Sequence, residues 1–349
     1  GGDRHRGVGG AAAGAGLERA VVAGGRDLVV HTSATAAGLQ RAVAWVARRT
    51  GADLDALWVI EGIGTYGARL ARAAADAGYT VAEAPRMNAR ANRGVGKSDP
   101  LDARRIAQAA LPLDHTQLRL PRTDEGARAA LRILIASRDH ITNERTAAIN
   151  ALIALLRVVD LGIDARGTLN TGRISEIAAW RARAEELSIG VARAEAVRLA
   201  KRVRTADREL GDLTRQMTAL LNESPAAGLL DQPGIGPVTA AIAYAAWSHP
   251  GRIRSEAAFA SLAGVNPIPA SSGNTVRHRI NRGGDRRLNR ALHMAVVTRM
   301  RMDPETRAYV DKRTAQGRTP REIRRSLKRY LARQIYRQLN ATITPAAAA

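Results

Sequence analysis

Leu57-Trp58-Val59-Ile60, running into Glu61-Gly62-Ile63-Gly64-Thr65-Tyr66-Gly67 and returning as Tyr79-Thr80-Val81-Ala82, decides the fold class of this chain. Four consecutive apolar residues bounded by a Gly-rich stretch predict a short strand of the buried type. Tyr66 to Ala77 reads as a helix stopped by Gly78. Strand, helix and strand in succession form a βαβ unit, so a parallel pair in an α/β domain is expected. Upstream, residues 37–49 read as a helix, and residues 17–36 as a hairpin with Ala20-Val21-Val22 and Leu28-Val29-Val30 flanking Gly24-Gly25. Gly7 to Gly16 is rich in Gly and Ala and reads unlike a strand. Downstream, a basic loop from Arg86 to Gly96 precedes a helix that starts near Pro100.

The middle of the chain has another character. Residues 124–157 and about 184–222 carry apolar positions at helical spacing among dense Arg, Glu and Asp, with Leu131, Leu134, Ile135, Ile141, Ile149, Leu152 and Leu156 as one stripe. Long helices, paired as a coiled coil, are expected. The last third opens at Pro225 and contains a Gly/Pro turn, a Ser-Gly loop and basic helices to about Leu339. Three regions follow: 1–112, α/β; 113–225, long helices; 226–349, mostly α-helical.

The 349 residues include 54 Lys and Arg against 32 Asp and Glu, a net charge of +22. Such an excess suits a polyanion, because each phosphate contacted releases counterions. Without cysteine, disulfides and thiolate chemistry are excluded. No apolar run reaches the ~18 residues of a membrane span, and the start has no signal-peptide core, so a cytoplasmic, nucleoid-associated protein is expected. Aromatic residues are 3% of the chain, so the core must be built from Ala, Leu, Val and Ile.

Glu61 sits at the carboxyl end of a strand, where α/β sheets place functional groups, although a loop Glu there is more often simply solvated. Asp99 and Asp102, three apart, lie on one side of a helix start. They can share a divalent cation, or form a plain capping box. With a basic chain and a third carboxylate at a strand end, two-metal phosphodiester chemistry with Mg²⁺ becomes the expectation. A further Asp on the first strand would complete such a site. Asp3 is the acidic candidate before Glu18, but no strand can end at residue 3, so the first strand is expected to be missing from residues 1–112.

Pro267-Ile268-Pro269-Ala270-Ser271-Ser272-Gly273-Asn274 is a small polar loop followed by Arg277, His278, Arg279, Arg282, Arg286 and Arg287. A serine among guanidiniums can approach a phosphate, although Ser-Ser-Gly is ordinary loop composition. Pro233-Gly234-Ile235-Gly236-Pro237 resembles a helix-hairpin-helix turn, in which Gly234 and Gly236 would offer backbone amides to phosphate. It reads equally as a punctuated helix connection.

These pieces, in this order from about Val21 to Leu339, resemble the DEDD transposases of bacterial insertion sequences, the family described as bridge-RNA-guided recombinases. Glu61 to Gly67 is similar to the family's Glu-Gly-Thr-Gly-Ser-Tyr-Gly segment, and Gly96-Lys97-Ser98-Asp99-Pro100-Leu101-Asp102-Ala103 to its Gly-Lys-Ser-Asp-x-x-Asp-Ala segment. Gln232 to Gly236, Leu262 to Pro267, Ser272-Gly273 and Asn281 to Leu288 fall on its C-terminal motifs. The resemblance implies an N-terminal RuvC-like domain of RNase H type and a C-terminal transposase domain. It implies Glu61, Asp99 and Asp102 as metal-binding carboxylates, with Asp3 the faint echo of the fourth, and Ser272, before Ser271, as the nucleophile that joins DNA. It further implies donor and target DNA, a guide RNA, and a homo-oligomer, dimer or tetramer. The family's opening Gly-Val-Asp strand has no counterpart, so either the true start lies upstream or the copy is degraded. Two other readings compete: a non-catalytic nucleic-acid binder, and a junction-resolving nuclease without serine chemistry. A tyrosine recombinase fits less well, because Tyr330 and Tyr336 read as packing within a helical stripe.

Overall fold

The computed structural model describes residues 8–14, 17–23, 27–32, 35–85, 99–114, 117–122, 125–271 and 278–341, with backbone alone for 8–32 and 99–102. Two compact units divide the chain: Gly1–Thr123 with His249–Arg254, and Asp124–Ser248 with Ser255–Ala349. The first boundary falls after the expected one at 112. The expected boundary at 225 has no counterpart, because the long helices pack in one unit with the C-terminal segment.

The first unit is built on strands β1 (Val8–Gly14), β2 (Leu17–Ala23), β3 (Asp27–Thr32), β4 (Leu57–Ile60) and β5 (Val81–Glu83), in sheet order β3-β2-β1-β4-β5. β2 is antiparallel to both its neighbours, while β1, β4 and β5 run parallel. This order is compatible with the RuvC-like fold that the resemblance implies. β4 is buried throughout, and its alternation feeds two faces. Trp58 and Ile60 join Leu39, Val46 and Leu70 from helices α1 (Ala36–Thr50) and α2 (Ala68–Asp76). Leu57 and Val59 join Ala103, Ile106 and Ala110 of α3 (Asp99–Ala110).

One expectation is corrected here. Val8–Gly14 is a strand, and a central one, paired along its length with β2 and through Val8–Ala11 with β4. Gly and Ala are weak strand formers, but backbone pairing on both edges satisfies N–H and C=O groups whatever the side chains are. The first strand is therefore present.

In the second unit, α4 (Gly126–Val158) and α6 (Leu187–Asn222) pack against each other, with α5 (Thr171–Ala178) beside them. Leu152 and Leu156 of α4 share a core with Ala196, Leu199, Ala200 and Val203 of α6 and Ile174 and Ile177 of α5. Large side chains meet small ones, which brings the helices close. Leu152 is fully buried, so Leu152→Ala should cost about 2–5 kcal/mol, read as a loss of denaturation midpoint.

Helix α7 (Pro237–Trp247) is apolar on nearly every side, as a helix enclosed by others must be. It packs against α4, α6, α9 (Arg286–Met302) and α11 (Pro320–Ala341), while α8 (Glu256–Leu262) packs on α11 and α10 (Pro304–Ala315) on α9 and α11. The buried Arg128 of α4 donates to the Ala245 carbonyl in the last turn of α7 at 3.2–3.3 Å, a cation placed where the helix dipole is negative. No helix among the described residues is long and apolar enough to cross a membrane.

Candidate functional site

Glu61 is the first residue beyond β4 and is exposed. The chain turns sharply behind it: Gly62 has φ +65°, and the Gly67 amide donates back to the Gly62 carbonyl at 3.1 Å. A Cβ on Gly67 would stand 2.4 Å from the Glu61 carbonyl oxygen and 2.8 Å from Ile60 Cγ2. The family-like glycine thus lets the turn close against the strand end that carries Glu61. The Glu83 carboxylate of β5, opposite Ile60, is occupied by buried Arg252 at 3.4 Å.

Asp99 and Asp102 both fall in the first turn of α3, which lies across β1, β2 and β4. Asp3 lies outside the described residues. The register decides what β1 can add. Ala11 pairs with Ile60, so the part of β1 alongside the end of β4 is Ala11-Ala12-Ala13, and β1 contains no acidic residue. Among the described residues, no three His, Asp or Glu side chains cluster to hold a metal ion. A four-carboxylate, two-ion set with one member on β1 therefore does not fit this sheet.

The serine loop is the turn of a two-stranded antiparallel hairpin, β6 (Pro267–Pro269) and β7 (His278–Ile280), with Pro269 opposite His278. Ser271 is exposed. Ser272 and Arg277 lie outside the described residues. Asn281, just after β7, donates to the Ser261 carbonyl at 3.2 Å and to Asn266 Oδ1 at 2.7 Å, tying the hairpin base to α8. Asp285 caps α9, accepting from the Arg287 and Leu288 amides at 2.9 and 3.0 Å. Between them Gly284 crosses Gly264 so closely that a Cβ would stand 2.3 Å from the Gly264 nitrogen and 2.9 Å from the Leu262 carbonyl. Backbone cannot give way as a side-chain end can. Gly284→Ala should therefore cost about 1–3 kcal/mol, measured by thermal unfolding.

Beside the hairpin lies a cavity of about 600 Å³ bordered by Pro267, His278 and Arg279. A second, of about 710 Å³, is bordered by Arg282 and Arg286. Arg279, Arg282 and Arg286 are exposed. Arg287 differs: it is ion-paired with Asp139 of α4 at 2.6 Å. At the other candidate phosphate contact, Gly234 is half-buried against the Ala295 carbonyl of α9, whereas Gly236 is the exposed N-cap of α7, which has no side-chain cap. Arg299 anchors that turn, donating to the Pro233 carbonyl at 2.6 Å.

Lys328 and Asn289 line both cavities and were not among the expected residues. Burial, then Arg325 and Arg324, pushes Lys328 below the ordinary lysine range. Burial, then Lys328 and Arg324, lowers His293 likewise. Nothing in the run Arg324-Arg325-Ser326-Leu327-Lys328 distinguishes the lysine, because helical spacing does not reveal which cation meets the hairpin.

Residues 22–159 match the DEDD transposase family of IS110 type, and residues 226–311 match the Transposase IS116/IS110/IS902 family. A 43.6 kDa protein of insertion element IS110 from Streptomyces coelicolor is 28% identical over 310 residues, covering 75% of this chain and 76% of its own length. A 42 kDa protein of insertion element IS900 from Mycobacterium paratuberculosis is 28% identical over 274 residues, 64% of this chain and 67% of its own.

Proposed function

This chain belongs to the DEDD transposases of IS110-type insertion elements, enzymes that cut and rejoin DNA, and from that premise we propose that it does so through the loop between β6 and β7, with Ser272 as the attacking group. What supports the reading is the loop's position: it springs from a hairpin beside cavities whose bordering side chains are cationic. Guanidiniums hold phosphate oxygens in a fork and concentrate a strand there. The serine hydroxyl attacks the phosphorus, the phosphodiester bond breaks, and the leaving oxygen takes a proton. The resulting ester keeps the bond energy for rejoining in reverse.

The family works with divalent ions, and Glu61, Asp99 and Asp102 are the acidic positions that would hold one, in the RuvC-like first unit. Such an ion, when bound, would polarise a phosphate oxygen and ease departure of the leaving oxygen. A guide RNA would lie on the basic faces of the long helices, with several copies of the chain assembling on DNA.

The decisive experiment incubates purified protein with end-labelled element-end DNA, quenches in denaturant, and looks for a covalent protein–DNA species. Peptide mapping should place the adduct within residues 270–277. Cut DNA without any adduct would favour the junction-resolving nuclease. Binding without cutting would favour the non-catalytic copy, a reading to which the alanines of β1 lend weight. Binding itself should weaken steeply between 50 and 200 mM salt, by roughly 10³-fold or more if about six phosphates are contacted, as fluorescence anisotropy would show.

A further inference from the structure

The wall shared by the two cavities is an ammonium held by an amide. Lys328 is half-buried, and its Nζ donates to Asn289 Oδ1 at 3.0 Å. Asn289 cannot turn away, because its Nδ2 donates to the Ala263 carbonyl at 2.7 Å and to that of Gly264 at 3.3 Å. One ammonium proton is thus used and two remain. Among the described residues, no carboxylate pairs with Lys328. Glu322, in the first cavity, is engaged by Thr319 and by Arg318 at 3.7 Å. A half-buried cation whose partner is neutral is costly by itself and becomes favourable when an anion docks against it. Cations stand on both sides, Arg325 and Arg329 in one cavity and Arg282 and Arg286 in the other. That spread suits consecutive phosphates along a strand and not a single small anion.

We infer that Lys328, oriented by Asn289, grips a phosphodiester of the DNA strand presented to the β6–β7 loop, and so acts as a positioning residue for strand joining. The inference rests on reading that loop as the serine loop, but its grip can be measured without any cleavage.

The test uses the full-length protein and a fluorescent single-stranded DNA of element-end sequence, titrated across a salt series. Lys328→Gln should weaken binding about tenfold, the loss of one charge-assisted hydrogen bond, and lower the slope of log K against log salt by about one. Lys312→Gln, on α10 and bordering neither cavity, measures generic charge loss and should change affinity far less. Lys328→Arg should keep most of the binding. Thermal unfolding of Lys328→Gln should be no lower than that of the parent, since a costly buried charge has been removed. Equal effects from Lys312→Gln and Lys328→Gln would overturn the inference. So would a tenfold preference of the parent for the same sequence as RNA, lost in Lys328→Gln, which would give the grip to an RNA strand. If the parent forms no covalent adduct yet Lys328→Gln loses binding as stated, the serine reading fails while the phosphate grip stands.

Discussion

Ser272→Ala is expected to abolish the covalent protein–DNA species and reduce strand joining by about 10³-fold or more, while DNA affinity stays within about threefold. The reason is that a nucleophile is used only in bond making. Removing it costs transition-state stabilisation and leaves ground-state contacts intact. In the proposed reading those contacts come from Arg279, Arg282 and Arg286, which border the cavities and which the substitution leaves in place. Ser271 is the natural control: it is exposed and directly precedes Ser272, the proposed nucleophile. Ser271→Ala should keep most of the adduct, detected by gel shift in denaturant. Persistence of the adduct in Ser272→Ala with loss in Ser271→Ala would reassign the nucleophile by one position. Persistence in both would remove serine chemistry altogether.

The second large effect is a gain. Asp introduced in turn at Ala11 and Ala12 should raise affinity for Mn²⁺ by roughly 10–100-fold, the range in which even outer-shell groups move metal affinity. The registered pairing of Ala11 with Ile60 places both positions beside the strand end that carries Glu61. Calorimetry with the metal alone reads this directly, with Glu61→Gln added to each Asp variant as the check that the new carboxylate acts with Glu61. If neither Asp variant gains affinity, β1 is not the strand that completes the acidic set. If Asp3→Asn in the parent chain removes metal binding, the missing member is Asp3.

Much of the architecture was legible because it is written in apolar periodicity. The four-residue run at 57–60 became the buried β4, the hairpin at Gly24-Gly25 formed, and the two long apolar stripes became α4 and α6. β1 was not legible, because Val8-Gly9-Gly10-Ala11-Ala12-Ala13-Gly14 has no side-chain signature of a strand and is held through its backbone. The same asymmetry runs through the site. Glu61, the helix start at Asp99 and the Asn281–Leu288 segment were visible as local patterns. Packing alone, by contrast, separates Arg287, tied to Asp139, from Arg286, which borders the second cavity, and lifts Lys328 out of a basic stripe. Gly234 shows the converse, since a glycine read as a phosphate contact also serves close approach to α9.

The six-residue stretch His249–Arg254 belongs to the first compact unit although it lies between α7 and α8 of the second. A fragment ending at residue 123 would thus carry Glu83 without Arg252, and the remainder would carry the buried Arg252 without Glu83. Neither half is a modular part that can be lifted out or transplanted by cutting the gene once, and chimeras between related elements should exchange residues 249–254 together with the N-terminal piece.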